Sequence, residues 1–200
     1  IILMLFVVTN ISKIDGFKKF DANKSSYIAM YMYKEPFNTK FEYIFSKDVS
    51  IKDAQQFIYK NEDIIARLEI PKQFNIFITQ TDNNEYYLNH SIYKKKDKKG
   101  NEFMDYRVNK KSQQINIYGH NSKTYDLPFS KLENFLDKDF FEKNKYILLQ
   151  FHDERRIYEV LSIKEKKTDY THMKVNVKKE NSIFNIFFLF NYCLVVFLFL

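Results

Sequence analysis

QQINIYGHNSKTYDLPF, residues 113–129, is the stretch on which the fold turns. Ile115 and Ile117 alternate with Gln114, Asn116 and Tyr118, the two-residue period of a strand. The strand closes on Gly119, His120 and Asn121, and a loop leads from there to Pro128. His120 thus stands at a strand end, where an imidazole serves either as a reacting group or as the polar close of a strand.

On both sides of this strand the chain reads as more strands. ARLEI (66–70), FNIFITQ (74–80), the Tyr86 to Tyr93 segment, NEFMDYR (101–107), KYILLQFH (145–152) and RRIYEVLSIKEKK (155–167) are short runs rich in β-branched and aromatic residues. One helix precedes the strands and one interrupts them. Ser50 caps a predicted helix through IKDAQQFIYKNEDIIA, with Ala54, Phe57, Ile58 and Ile65 on one face. A capping box of Ser130 and Glu133 opens a second, with Leu132, Phe135, Leu136 and Phe140 at helical spacing. KKKDKK (94–99), before Gly100, reads as a solvated turn. The spacing predicts a β-barrel or sandwich with no internal repeat.

In order along the chain, IPKQFNIFITQTDNNEYYLNH (70–90), NEFMDYR, INIYGHN (115–121), a helix ending FLDKDFFEKNKYILL (135–149) and RIYEVLSI (156–163) resemble the class B sortases of Gram-positive bacteria. The resemblance covers roughly residues 60–175, and YGHN followed by LDKDFF is its most specific part. It implies a mainly β fold: a partial sortase-type β-barrel with short helices, lacking the family's last strands, plus apolar terminal segments. It also implies transpeptidation, in which a cysteine thiolate attacks a carbonyl of a sorting signal and a cell-wall amine displaces the thioacyl enzyme. A thiol needs a nearby cation to raise its thiolate fraction, an imidazole can shuttle the protons, and a guanidinium can hold the oxyanion.

The resemblance assigns the general acid and base role to His120; His90, His152 and His172 read as surface or turn residues. It assigns no nucleophile and no arginine. The family's cysteine follows a Thr-Leu-Ser-Thr pattern absent here, whereas Cys193, the single cysteine, lies in FNYCLVVF with no arginine after it, the last being Arg156. A thiol in such an apolar stretch has its pKa raised, so Cys193 is expected to be unreactive and the chain inactive as it stands. A peptide-binding module without chemistry is the alternative.

Composition bounds the rest. The chain has 200 residues, 45% of them hydrophobic, with a net charge of +7, 21 Phe, 15 Tyr, 3 Gly and no Trp. That is enough for one domain with a core. The lysines are interspersed with Asp and Glu, which argues against nucleic acid as a partner, and a lone cysteine excludes a disulfide framework and a multi-cysteine metal site. No cofactor is expected. IILMLFVV (1–8) reads as the stub of an anchor, and Ile183 to Leu200 is 18 residues without a charge, at the edge of membrane-spanning length. That tail is either a second membrane segment or out-of-frame sequence. The expected organisation is an anchor remnant at 1–10, a linker at 11–49, the incomplete barrel at 50–180 and an apolar tail at 181–200. By the resemblance, the partners are a sorting-signal peptide, a cell-wall precursor amine and the membrane, on the extracellular face of a Gram-positive cell. A small membrane-anchored structural protein is the remaining class.

Overall fold

A computed structural model describes residues 25–32, 44–112, 114–122, 124–166 and 192–198. The expected anchor remnant at 1–10, His172 and the first part of the apolar tail lie outside the described residues. The strands are β1 (Ser25–Met32), β2 (Ile64–Ile70), β3 (Phe74–Thr79), β4 (Phe103–Met104), β5 (Gln114–His120), β6 (Tyr146–Phe151), β7 (Arg155–Lys166) and β8 (Tyr192–Leu198). Strands β2 to β7 form a curled half-barrel in the order β7-β6-β2-β3-β4-β5, the mainly β fold anticipated above. β8 pairs antiparallel with β5 and parallel with β1, and β1 pairs antiparallel with β7, so the sheet closes. Part of the apolar tail therefore occupies the gap at the β5 edge, where unpaired backbone groups would otherwise be exposed. Among the described residues no helix is long and apolar enough to cross a membrane.

Alternation dictates the core. Ala66, Leu68 and Ile70 of β2, Ile115 and Ile117 of β5, Ile147, Leu149 and Phe151 of β6, and Tyr158 and Val160 of β7 point to the same interior. β2 and β6 are covered on their other face too. Phe45 packs on Leu148 and Ile157, the Ser46 backbone N–H and hydroxyl donate to Glu69 Oε1 at 2.9 Å, and Gln150 Nε2 donates to the Val49 carbonyl at 2.6 Å. This two-sided burial places Arg67 at 1% exposure, 3.3 Å from Glu69.

Three sequence expectations change. The helix after Ser50 is short: α1 (Ile51–Asp53) continues only as a π-helical turn, Ala54–Ile58. Tyr59 N–H donates to the Ala54 carbonyl, five residues back, and Lys60 takes a φ of 51°, which ends the helix. The extra residue in the turn rotates the expected face apart, so that Ala54 is buried, Phe57 and Ile58 are exposed, and Ile65 lies in β2. Likewise, the Ser130–Glu133 capping box does not form. Ser130 Oγ accepts from Ser122 N–H and donates to the Ser122 carbonyl, both at 3.0 Å, inside a 3-10 helix, Pro128–Leu136. Three residues per turn put Phe129, Leu132 and Phe135 on the core face. The α-helical part is α2 (Lys138–Lys143), capped by Asp137, whose Oδ1 accepts from Phe140 N–H at 2.8 Å. Finally, the Tyr86 to Tyr93 segment is a 3-10 turn, Tyr86–Leu88, and a loop rather than a strand, and within NEFMDYR only β4 is extended.

Candidate active site

His120 ends β5 half-buried. Its Nε2–H donates to the Leu88 carbonyl at 2.7 Å. A carbonyl can only accept, so in the neutral ring Nε2 carries the proton and Nδ1 the lone pair. The ring is pinned from a second side by Gly100, whose φ is +65°. A Cβ there would stand 2.5 Å from the Tyr87 carbonyl oxygen, 2.9 Å from His120 Cδ2 and 3.0 Å from the Leu88 carbonyl oxygen. Only glycine lets the loop, the carbonyl and the imidazole meet.

The Leu88 carbonyl is itself held in place. Tyr87 is 1% exposed, and its hydroxyl accepts from Asn61 Nδ2 and donates to Asp63 Oδ2, each at 2.8 Å. Burial, with the neighbouring Asp63, pushes the Tyr87 phenol well above its ordinary pKa, so it stays a donor. Asp63 also pairs with Lys94 at 3.0 Å, and Asn61 Nδ2 reaches the Ile92 carbonyl at 2.7 Å. A polar cluster at the start of β2 thereby fixes the loop that receives the imidazole.

The rest of β5 supplies two further features. Tyr118, on the same strand face as His120, donates to Asp105 Oδ2 at 2.7 Å, and Asp105 takes Arg107 on both oxygens at 2.9 and 2.7 Å. Burial opposes the Asp105 charge, but the hydrogen bonds from Arg107 and Tyr118 outweigh it, and its pKa is lowered. On the other face, Glu102 continues β4 alongside Gly119, because Phe103 pairs with Tyr118. Its carbonyl accepts from Thr79 N–H and hydroxyl at 3.1 and 3.2 Å. Its side chain lies over Gly119, with Cγ 2.8 Å and Phe129 Cδ2 2.6 Å from where a Cβ of residue 119 would be. Burial pushes the Glu102 carboxyl up to about 7.

The β8 register bears on the only thiol. Tyr192 pairs with His120, and Cys193 pairs with Gly119. Residues directly opposite in an antiparallel pair share a sheet face, so the position sharing the face of His120 is 192. The four arginines that the sequence contains are engaged elsewhere: Arg67 with Glu69, Arg107 with Asp105, Arg155 with Asp48, and Arg156 with Glu154 and the Lys110 carbonyl. His90 Nδ1 bonds the Tyr86 carbonyl at 2.8 Å while its ring stacks on Tyr86, and His152 is exposed. Among the described residues no group of three His, Cys, Asp or Glu side chains could hold a metal ion.

Gly100, Glu102 and the Asn61–Tyr87–Asp63 cluster were not singled out from sequence. A glycine closing a lysine-rich turn, in a chain with 3 glycines, was the available signal for the first.

The curled, mainly antiparallel barrel has the sortase-type fold. No family model matches the chain. Sortase B of Listeria monocytogenes is 29% identical over 127 residues, which are 62% of this chain and 50% of that protein. A solved Bacillus anthracis protein described as similar to sortase B superposes with a TM-score of 0.58 at 28% identity, covering 68% of this chain and 65% of that one. The Clostridium perfringens sortase B structure gives 0.51 at 27% identity, covering 55% and 59%. The chain is a relative of the class B sortases. It spans about half the length of the curated relative it matches.

Proposed function

We propose that this chain carries the histidine half of a class B sortase site, binds a sorting-signal peptide, and does not by itself turn it over. The clamp on His120 carries the reading. An imidazole whose Nε2–H is committed to the Leu88 carbonyl presents Nδ1 as the proton-transfer atom, and Gly100 fixes the ring plane. In the reaction of the family, that atom would protonate the leaving amine and deprotonate the incoming cell-wall amine. The β8 register supports the absence of a thiol partner, since Tyr192 and not Cys193 lies across from His120. The ion pairs of the described arginines support the absence of an oxyanion-holding guanidinium. Peptide binding rests on the relationship to sortases, and so does a place on the outer face of the membrane of a Gram-positive cell, with residues 1–8 as the anchoring stretch.

The test is incubation of the purified chain with sorting-signal peptides, following binding and cleavage separately, with and without thiol alkylation. Binding without thiol-dependent cleavage is expected. Turnover that disappears in Cys193→Ala would overturn the half-site reading, and a chain that neither binds nor cleaves any such peptide would overturn the sortase-type reading altogether.

A further inference from the structure

The three most exposed large apolar side chains lie on two adjoining segments, at residues 57–58 and 93. Phe57 is 72% exposed, Ile58 55% and Tyr93 57%. The π-helical turn presents the first two, as its extra residue carries them out of the core that Ala54 enters. The two segments adjoin at Tyr59, next in the chain after Ile58, whose ring centroid lies 5.4 Å from that of Tyr93 and 5.4 Å from that of Phe77. The arrangement is braced from below: Asn61 Nδ2 holds the Ile92 carbonyl at 2.7 Å, and Lys94 pairs with Asp63 at 3.0 Å. Residues 91–99 form a tight loop, closed by a His90–Lys96 bridge and by bonds from Ser91 N–H to the Lys95 carbonyl and from Asp97 N–H to the Asn89 carbonyl. The apolar cluster and the lysine run are thus held on two braced loop tips.

Lysines are frequent on the same two segments, which also carry Asp53, Glu62 and Asp97. Lys52, Lys60, Lys95, Lys96 and Lys98 are all exposed, and none has an acidic ion-pair partner among the described residues. Lys99 lies over the Tyr125 ring at 5.3 Å. Exposed Phe, Ile and Tyr on segments that also carry lysines without an acidic ion-pair partner match the boundary of an anionic bilayer, where rings and aliphatic chains enter the headgroup and acyl layer and ammonium groups remain with lipid phosphates. A single-stranded nucleic acid would make use of the lysines and tyrosines, but it gains little from an aliphatic Ile58, and it is tracked by a groove rather than by loop tips.

We propose that the turn at residues 56–60 and the loop at residues 91–99 form a docking surface for an anionic lipid bilayer. This surface is separate from any anchoring by the apolar ends of the chain, and it does not depend on the peptide-binding reading above. Each lysine near such a surface contributes about fivefold in affinity, and each apolar side chain that enters the acyl boundary about tenfold or more.

The chain contains no tryptophan, so Phe57→Trp places a single reporter on the patch in the whole 200-residue chain. With vesicles of phosphatidylcholine mixed with phosphatidylglycerol at low salt, its emission is expected to shift blue and to be quenched by brominated acyl chains, with much less of either on phosphatidylcholine alone. In the same background, Lys95→Gln, Lys96→Gln and Lys98→Gln together should lower the apparent affinity read at the reporter at least about tenfold. An apolar tail that held the chain on vesicles by itself would leave the reporter in water. Emission on the mixed vesicles equal to that in buffer would therefore overturn the proposal, and so would quenching untouched by the lysine substitutions. A response to oligonucleotides but not to vesicles would assign the patch to a polyanion and would equally overturn it.

Discussion

Replacing Glu102 with Gln tests whether a charge is held in the barrel beside the histidine strand. The carboxyl lies over Gly119 against the Phe129 ring, and burial raises its pKa from 4.5 to about 7. In the unfolded chain the same group titrates near its ordinary value. A carboxyl raised on folding favours the folded state in its protonated form, so the stability it protects is fully present below about pH 4.5 and is lost as pH rises to about 7. The rise from 4.5 to about 7, at about 1.4 kcal/mol per pH unit, makes that loss roughly 3–4 kcal/mol, with little solvent screening because the group is buried. Glu102→Gln keeps the shape and removes the titration. Urea unfolding of both proteins at closely spaced pH values should give curves that nearly coincide at pH 4.5 and part by about 3–4 kcal/mol at pH 8, with the variant the more stable. Parallel profiles across that interval would refute the buried-carboxyl reasoning, and a variant less stable at high pH would reverse it.

Asp105 has the opposite sign: its pKa is lowered, so its contribution is present at neutral pH and fades as acid protonates it, and Asp105→Ala should cost about 3 kcal/mol in neutral denaturant melts by leaving Arg107 and Tyr118 without their acceptor. Gly119→Ala pushes a methyl group to within 2.6 Å of Phe129 and should destabilise by about 1–3 kcal/mol in the same melts, with Glu102→Gln unable to rescue it because the ring contact remains. Gly100→Ala meets a backbone oxygen at 2.5 Å in a left-handed conformation; it should cost about 2 kcal/mol and displace the His120 imidazole signals in proton NMR spectra, whereas Lys99→Ala should leave those signals in place. Tyr87→Phe removes a hydroxyl shared by Asn61 and Asp63 and should lose about 1–3 kcal/mol, with faster amide exchange in the turn that bears Leu88.

These residues also mark the boundary between local and tertiary information. Alternation in INIYGH, YILLQF and IARLEI is a local property, since each side chain must face one side or the other, and it was enough to read the strands and to place His120 at a strand end. The order of YGHN and LDKDFF along the chain was likewise readable, and with it the relationship to the class B sortases. Helical details were not. A run such as AQQFIYKNEDIIA fits an amphipathic helix by period, but the pairing of Ile64 to Ile70 between β3 and β6 claims its second half for the sheet, and long-range hydrogen bonds outweigh the local preference. Ser130 fits a capping box by spacing, yet its hydroxyl is taken by Ser122, eight residues away. The environment of the imidazole was the least legible part. A backbone carbonyl such as that of Leu88 has no signature in sequence, and the value of Gly100 or the cost of Glu102 exists only once Tyr87, His120, Phe129 and Gly119 have been brought to within a few ångströms by strands far apart in the chain. Sequence alone determined that His120 closes a strand and which kind of barrel carries that strand. Which atoms hold that ring, and which residue of β8 pairs with it, were decided by tertiary packing, because both depend on distances that no period along the chain encodes.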